Sequence, residues 1–154
     1  MVIIQDTREQ LPYVFDRWPV SVQAAGLPVG DYSIQGFSDK VAIERKSLDD
    51  LINCLMGGNR IRFEKELSRA RSFELFAVIV EASFHQISAK QYHGCMDPHA
   101  VLQSIVAFHI RYKVPFIFAG DRCGGEYLTF SLLQKFIYEI EKRFKQCRKM
   151  EVTG

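Results

Sequence analysis

The run Phe76–Val80 places the tightest limit on the fold, because its five residues are all apolar and the last three are β-branched. A run of this length and composition is typical of a buried β-strand. A further strand is predicted at Val114–Ala119. Shorter strands are predicted at Val2–Gln5, Tyr32–Ile34 and Val41–Ile43, and the last two form a hairpin whose turn spans residues 36–40. The segment between Val2–Gln5 and Tyr32–Ile34 contains prolines and glycine and is predicted to be a loop.

Apolar residues recur at helical spacing in the remaining segments. Ser47 and Asp50 resemble a capping box that opens one helix, and Gly57–Gly58 is predicted to end it. Asp97 and Pro98 have the N-cap and N1 character of a second helix start. Further helices are predicted over residues 60–72 and over residues 133–144. The order of these elements predicts a three-layer α/β fold, with a central mixed β-sheet flanked by helices.

The 154 residues suit one domain, predicted over residues 1–150 with a tail at residues 151–154. The formal net charge of +2 is small, so any DNA binding must depend on local basic surface. The four cysteines are scattered without a CxxC pair, which is typical of reduced thiols. No signal peptide or membrane-spanning apolar run is recognised. We therefore expect no membrane association, and a cytoplasmic location, or a nuclear one if the source is a eukaryote.

Three acidic residues, Asp6, Asp31 and Glu44, fall at the ends of predicted strands or inside them. Strand ends can converge at one edge of a sheet, and oxygen ligands of this kind suit Mg²⁺ or Mn²⁺. Glu44 and Lys46 are two residues apart, so on a strand they share a face, and Arg45 points to the other. Phosphodiester hydrolysis needs this combination of metal-binding carboxylate and positive charge. A charged, solvated edge strand is the alternative for this triplet, and a simple turn is the alternative for Asp31.

An ordered set of motifs resembles the signature of XPF-type nucleases. Gly30-Asp31-Tyr32, Ile43-Glu44-Arg45-Lys46-Ser47 and Asp50-Leu51-Ile52 resemble the GD…(V/I)ERKxxxDL pattern of that family. The opening Asp6-Thr7-Arg8-Glu9 resembles the family's DxRE, and Gly58-Asn59-Arg60 resembles its glycine–arginine element with an extra asparagine. The resemblance is dense over the first half of the chain. It implies a restriction-endonuclease-like fold of the PD-(D/E)XK class.

The resemblance also implies roles for individual residues. It makes Asp31 and Glu44 metal ligands, with Asp6 beside them, and Lys46 the catalytic lysine. Glu9, Arg45 and Asp50 complete the catalytic motif, and the predicted DNA-phosphate contacts are Arg8, Arg60 and Arg62. The implied cofactor is Mg²⁺, with Mn²⁺ as a substitute.

The function implied is an Mg²⁺-dependent endodeoxyribonuclease that cuts branched, flap or partly single-stranded DNA in repair, recombination or replication. Many members carry a helix-hairpin-helix module after the nuclease domain, and none is recognised here, so the chain resembles compact bacterial or phage members. We expect a homodimer or a partner subunit to supply DNA binding. The alternatives are a non-catalytic DNA-binding subunit of a nuclease complex, a nuclease acting on plain duplex, and an RNA-directed nuclease.

Other polar clusters leave two interpretations open. Arg60, Arg62, Lys65, Arg69 and Arg71 form either a phosphate-binding face or an ordinary solvated helix, because Glu64 and Glu66 dilute their charge. Glu81 either joins the active site or is a solvated strand end. The cluster His93, Cys95 and His99 matches no standard zinc spacing.

Overall fold

Six strands and five helices make up the computed structural model, which describes residues 1–152, with side chains described as far as Met150. The strands are β1 (Val2–Asp6), β2 (Ser21–Ala25), β3 (Tyr32–Ile34), β4 (Val41–Lys46), β5 (Leu75–Val80) and β6 (Phe116–Phe118). The helices are α1 (Leu48–Cys54), α2 (Gly57–Ala70), α3 (Phe84–Ser88), α4 (Pro98–Tyr112) and α5 (Arg122–Val152).

The strands form one sheet in the order β2-β1-β3-β4-β5-β6. The pairs β1–β3 and β3–β4 are antiparallel, and the pairs β1–β2, β4–β5 and β5–β6 are parallel. The predicted hairpin and the predicted mixed sheet are therefore confirmed. Strand β4 lies between β3 and β5, which brings the Glu44-Arg45-Lys46 triplet to the middle of the sheet.

Helices cover both faces of the sheet, which confirms the predicted three-layer architecture. On one face, Ala42, Val78 and Val80 pack with residues of α1, α2 and α4. On the other face, Ile43 and Ile79 pack with Leu133 of α5 and with the loop that follows β1. Alternate residues of β4 and β5 thus enter two separate cores, as the side-chain alternation of a strand requires.

Several elements differ from the predictions. Strand β2 lies in the predicted loop, and its residues are mostly exposed, so no apolar pattern marks it. Helix α1 ends at Cys54, and Gly57 begins α2 rather than ending α1. The short helix α3 was not predicted, although Ser83 and Gln86 form a complete capping box at its start.

The last helix is longer than the apolar pattern indicated. Helix α5 continues to Val152, so the predicted tail of residues 151–154 starts within it, and residues 153–154 lie outside the described residues. Among the helices that the structure describes, none combines the length and apolar character needed to cross a membrane.

Candidate active site

Three neighbouring strands bring the motif acids Asp6, Asp31 and Glu44 to adjacent positions. The Asp6 N–H donates to the carbonyl oxygen of Asp31 at 2.8 Å, across β1 and β3. The Asp31 N–H donates to the carbonyl oxygen of Ile43 at 2.8 Å, which places Asp31 beside Glu44 across the β3–β4 hairpin. The predicted convergence of these strand positions is present in the structure.

Gly30 makes this approach possible. Its φ angle is +79°, and a Cβ atom at this position would lie 3.0 Å from Cβ of Ala42 and 3.1 Å from the carbonyl oxygen of Ile43. Glycine lacks the Cβ that disfavours positive φ. The Gly-Asp pair of the motif therefore allows the chain to turn tightly against β4 just before Asp31.

Glu44 and Lys46 lie on the same face of β4, as predicted, and form an ion pair. The Glu44 residue is only 5% exposed, and the ammonium group of Lys46 lies 5.2 Å from the centre of the Phe63 ring on α2. Burial, together with the nearby Asp31 carboxylate, raises the pKa of Glu44 well above its usual value. Burial lowers the pKa of Lys46, but attraction to Glu44 outweighs it, so this pKa is raised and Lys46 stays charged.

Asp31 is a carboxylate whose charge is incompletely compensated. One of its oxygens, Oδ2, accepts the backbone N–H of Arg45 at 2.7 Å. Burial nevertheless raises its pKa to about 6; the Arg45 N–H and Lys46 lower the pKa, while Glu9 and Glu66 raise it further. Two close carboxylates with Lys46 as the nearby cation make a site at which an added cation would be favourable.

Arg45 points to the opposite face of β4, also as predicted. Its guanidinium binds both carboxylate oxygens of Glu81, at 2.7 Å and 2.9 Å, and lies 3.4 Å from Glu9 Oε1. Tyr13 donates its hydroxyl to the same Glu81 at 2.7 Å. Glu81, the residue with two open interpretations, is therefore a buried partner of Arg45 and not a solvated strand end.

Asp6 lies next to Asp31 in the sheet, but its carboxylate is fully engaged elsewhere. Asp6 Oδ1 accepts from the backbone N–H and the Nε–H of Arg8, and Oδ2 accepts from Arg8 Nη2 and from the backbone N–H of Leu27 at 2.7 Å. Burial raises the pKa of Asp6, but these donors outweigh it and the pKa is lowered. The carboxylate holds the segment that leads into Gly30.

Two cavities share Lys46 and Asp50. The smaller, of about 280 Å³, is lined by Glu44, Arg45 and Asp31, and by the loop of residues 8–11. The larger, of about 790 Å³, lies along α1 and α2. Asp50 caps α1 together with Ser47, whose hydroxyl lies 2.6 Å from Asp50 Oδ2.

The arginines predicted to contact phosphate occupy different surroundings. Arg8 remains 73% exposed at the edge of the smaller cavity, and Arg62 lines the larger one. Arg60 instead points toward α4, where it donates to Ser104 Oγ at 2.9 Å and lies over the ring of Phe108. Arg60 therefore joins α2 to α4 on the side away from the two cavities.

Glu66 is a site residue that the sequence motif did not reveal. Its Oε1 accepts the backbone N–H of Gly30 at 3.3 Å, and its charge raises the pKa of both Asp31 and Glu44. The one sequence feature that could have indicated this role is the spacing of four residues between Arg62 and Glu66, which places both residues on one face of α2.

The donor set at Asp31 and Glu44 fits a hard divalent cation. Among the described residues, no three His, Cys, Asp or Glu side chains are arranged to hold a metal ion. Mg²⁺ typically takes one or two protein carboxylates and completes its coordination with water and substrate phosphate, so two carboxylates suffice.

In the His93 cluster, the His93 ring pairs with Asp49 at 2.9 Å.

Comparisons with known proteins identify the fold and the family. Comparison with curated proteins gave no significant match. Among solved structures, XPF from Aeropyrum pernix superposes with a TM-score of 0.67 at 22% identity, over 95% of this chain and 70% of that chain. XPF from Aeropyrum pernix in complex with DNA superposes with a TM-score of 0.65 at 23% identity, over 90% of this chain and 66% of that chain. These likenesses establish the XPF nuclease fold.

The family model described as the ERCC4 domain matches residues 5–130, a span that includes Asp6, Asp31, the Glu44-Arg45-Lys46 triplet and Glu66. The chain belongs to the ERCC4 domain family, a family of DNA nucleases.

Proposed function

We propose that this protein is a divalent-metal-dependent DNA endonuclease whose active centre is the Asp31–Glu44–Lys46 group. The observation that carries the proposal is the pairing of the buried Glu44 carboxylate with the half-buried Asp31 carboxylate across the β3–β4 hairpin, with a charged lysine bound to Glu44. All three side chains line one cavity that opens to solvent. This is the arrangement that phosphodiester hydrolysis requires.

Asp31 and Glu44 are the residues that would hold Mg²⁺ or Mn²⁺. Such a metal, when bound, polarises the scissile phosphate and lowers the pKa of water. Lys46 Nζ, already a donor to Glu44 Oε1, supplies positive charge for the negative charge that develops on the phosphate. Because the pKa of Lys46 is raised, the ammonium form is kept throughout the neutral range.

The other motif residues are proposed to hold Asp31, Glu44 and Lys46 in position. Arg45 presents its backbone N–H to Asp31 and anchors its side chain to Glu81 and Glu9 on the opposite face. Asp6 fixes the segment before Gly30 through Leu27. We therefore assign Asp6, Glu9 and Arg45 to positioning, and phosphate contact to Arg8 and Arg62.

The proposed substrate is DNA with a branch, a flap or a junction between single strand and duplex. The support is membership of a DNA nuclease family and the likeness in fold to an XPF that was solved with DNA. A homodimer or partner subunit that contributes to DNA binding belongs to the same proposal.

The test is cleavage of labelled flap, Holliday-junction and linear duplex DNA with Mg²⁺, with Mn²⁺ and with EDTA. We expect the wild type to cut the branched substrates only with metal, and Lys46→Ala to abolish cutting while still binding DNA. Lys135→Ala is the matched control, because Lys135 lies on α5 beside Tyr138 and outside both cavities. Full cleavage by Lys46→Ala would refute the assignment, and binding without cleavage by the wild type would favour a non-catalytic DNA-binding subunit.

A further inference from the structure

We infer that the groove along α1 and α2 binds the phosphates of one DNA strand as that strand leaves the active site. The inference rests on the proposed function and specifies where the substrate lies. The groove has a volume of about 790 Å³ and begins at Lys46 and Asp50, which also line the active-site cavity. A strand bound in the active-site cavity would therefore meet this groove at the two residues that both cavities share.

Three cations line the groove at helical spacing. Arg62, Lys65 and Arg69 are all exposed and lie on one face of α2. Within the described part of the chain, the side chains of Lys65 and Arg69 have no hydrogen bond or ion pair, and Arg62 bonds only to Asn59. Their charge is therefore available to a ligand.

Two acidic residues, Asp50 and Glu66, also line the groove, but among the described residues neither forms an ion pair with these cations. Glu66 is directed to the Gly30 N–H, and Asp50 is bonded to Ser47. Glu64 lies on the α4 side, where it pairs with Arg60 and Arg111. Glu64 thus faces away from the groove, and the four cations that line it (Lys46, Arg62, Lys65 and Arg69) outnumber its two carboxylates.

The spacing of the cations suits a polynucleotide. At a rise of about 1.5 Å per residue, Arg62 and Arg69 are about 10 Å apart along α2. This distance equals the axial span of about three nucleotides in one strand of a duplex, at about 3.4 Å each. Asn53, Asn59 and Ser68 add neutral hydrogen-bonding groups of the kind that contact phosphate oxygens.

The test uses the salt dependence of DNA binding, measured by fluorescence anisotropy in EDTA so that no cleavage occurs. Loss of one phosphate contact should reduce the slope of log K against log [salt] by about 0.9 for duplex and by about 0.7 for a single strand. We expect Arg69→Ala and Lys65→Ala each to show such a reduction. The matched control is Arg71→Ala, which removes the same charge two residues later at a position outside the groove.

Three DNA forms identify the source of the phosphates: blunt duplex, single strand and a flap. A reduced slope for Arg69→Ala on single-stranded or flap DNA alone supports occupancy by an unpaired arm, and a reduction on blunt duplex supports occupancy by a paired strand. Equal slopes for Arg69→Ala and Arg71→Ala on all three overturn the inference. If those slopes are equal while the wild type still cleaves DNA, DNA binding in the groove is refuted and the proposed nuclease activity is unaffected. If instead Arg69→Ala and Lys65→Ala show the reduced slopes but the wild type cuts no substrate, the result supports DNA binding in the groove and contradicts the proposed nuclease activity.

Discussion

Replacement of Arg45 by alanine tests whether the middle residue of the Glu44-Arg45-Lys46 triplet stabilises the folded protein. The side chains of Arg45, Glu81 and Glu9 are each 7% exposed, and the guanidinium makes two short hydrogen bonds to Glu81. Removing one partner of a buried ion pair leaves an uncompensated charge and typically costs about 3–5 kcal/mol. Glu81 would retain the Tyr13 hydroxyl, and Arg122 lies 3.8 Å away, so we expect the lower end, about 3 kcal/mol.

The measurement is urea and thermal unfolding followed by circular dichroism. For a chain of this size, a loss of about 3 kcal/mol should lower Tm by about 6–12 °C. The matched control is Arg143→Ala, since Arg143 pairs with Glu74 at 3.7 Å with both side chains largely exposed, 70% and 48%. Exposed pairs contribute about 0–1 kcal/mol, so the control should unfold close to the wild type.

A second substitution separates buried charge from lost packing. In Arg45→Ala/Glu81→Gln the buried carboxylate of Glu81 is removed, so the double variant should be less destabilised than the sum of the two single variants. Stability of Arg45→Ala within about 1 kcal/mol of Arg143→Ala would refute the view that the Arg45–Glu81 pair supports the sheet.

Three further predictions concern the remaining acids. Without metal, the free energy of unfolding of the wild type relative to Asp31→Asn should fall as pH rises from 3.8 to about 6 and then level off. The reason is that the pKa of Asp31 is higher in the folded state than in the unfolded state, so Asp31 favours folding only while it is protonated. Denaturation in EDTA across that pH range checks the sign of the change. Glu66→Ala should lose about 1 kcal/mol by leaving the Gly30 N–H unpaired, whereas Glu66→Gln should keep the acceptor, and equal stability of the two variants contradicts this role. Asp6→Ala should lower Tm yet leave Mn²⁺ affinity in calorimetry unchanged, and lost metal affinity in a folded variant would make Asp6 a ligand.

The residues of the candidate site could be predicted from the sequence because the motif and the strand period carry that information locally. Alternation along β4 is sufficient to place Glu44 and Lys46 on one face and Arg45 on the other. The hairpin turn then brings Asp31 beside Glu44, since antiparallel pairing fixes which residues are neighbours. None of these steps needs knowledge of distant parts of the chain.

The remaining features depend on contacts between residues far apart in sequence. The prediction of Asp6 as a metal ligand stays a prediction, but the hydrogen bond that its carboxylate accepts from the Leu27 N–H could not be foreseen, because Leu27 lies in a segment with no distinguishing pattern. Arg60 and Arg62 have the same charge and differ only in the helix face on which they lie. Strand β2 pairs with β1 in the parallel ladder, but its residues are mostly exposed, so no apolar pattern marks it in the sequence.

Strand β4 links the two faces of the sheet at Arg45, and this explains why the motif needs three consecutive residues. The Arg45 side chain is held by Glu81 on one face, while its backbone N–H holds the Asp31 carboxylate at the active-site edge. Because the backbone of Arg45 cannot shift without moving Glu44 and Lys46 on either side of it, the buried ion pair also fixes the separation of the two carboxylates. A side chain anchored on the opposite face of the sheet thus helps to determine where the proposed metal ligands lie, and the stability and geometry of the site depend on the same residue.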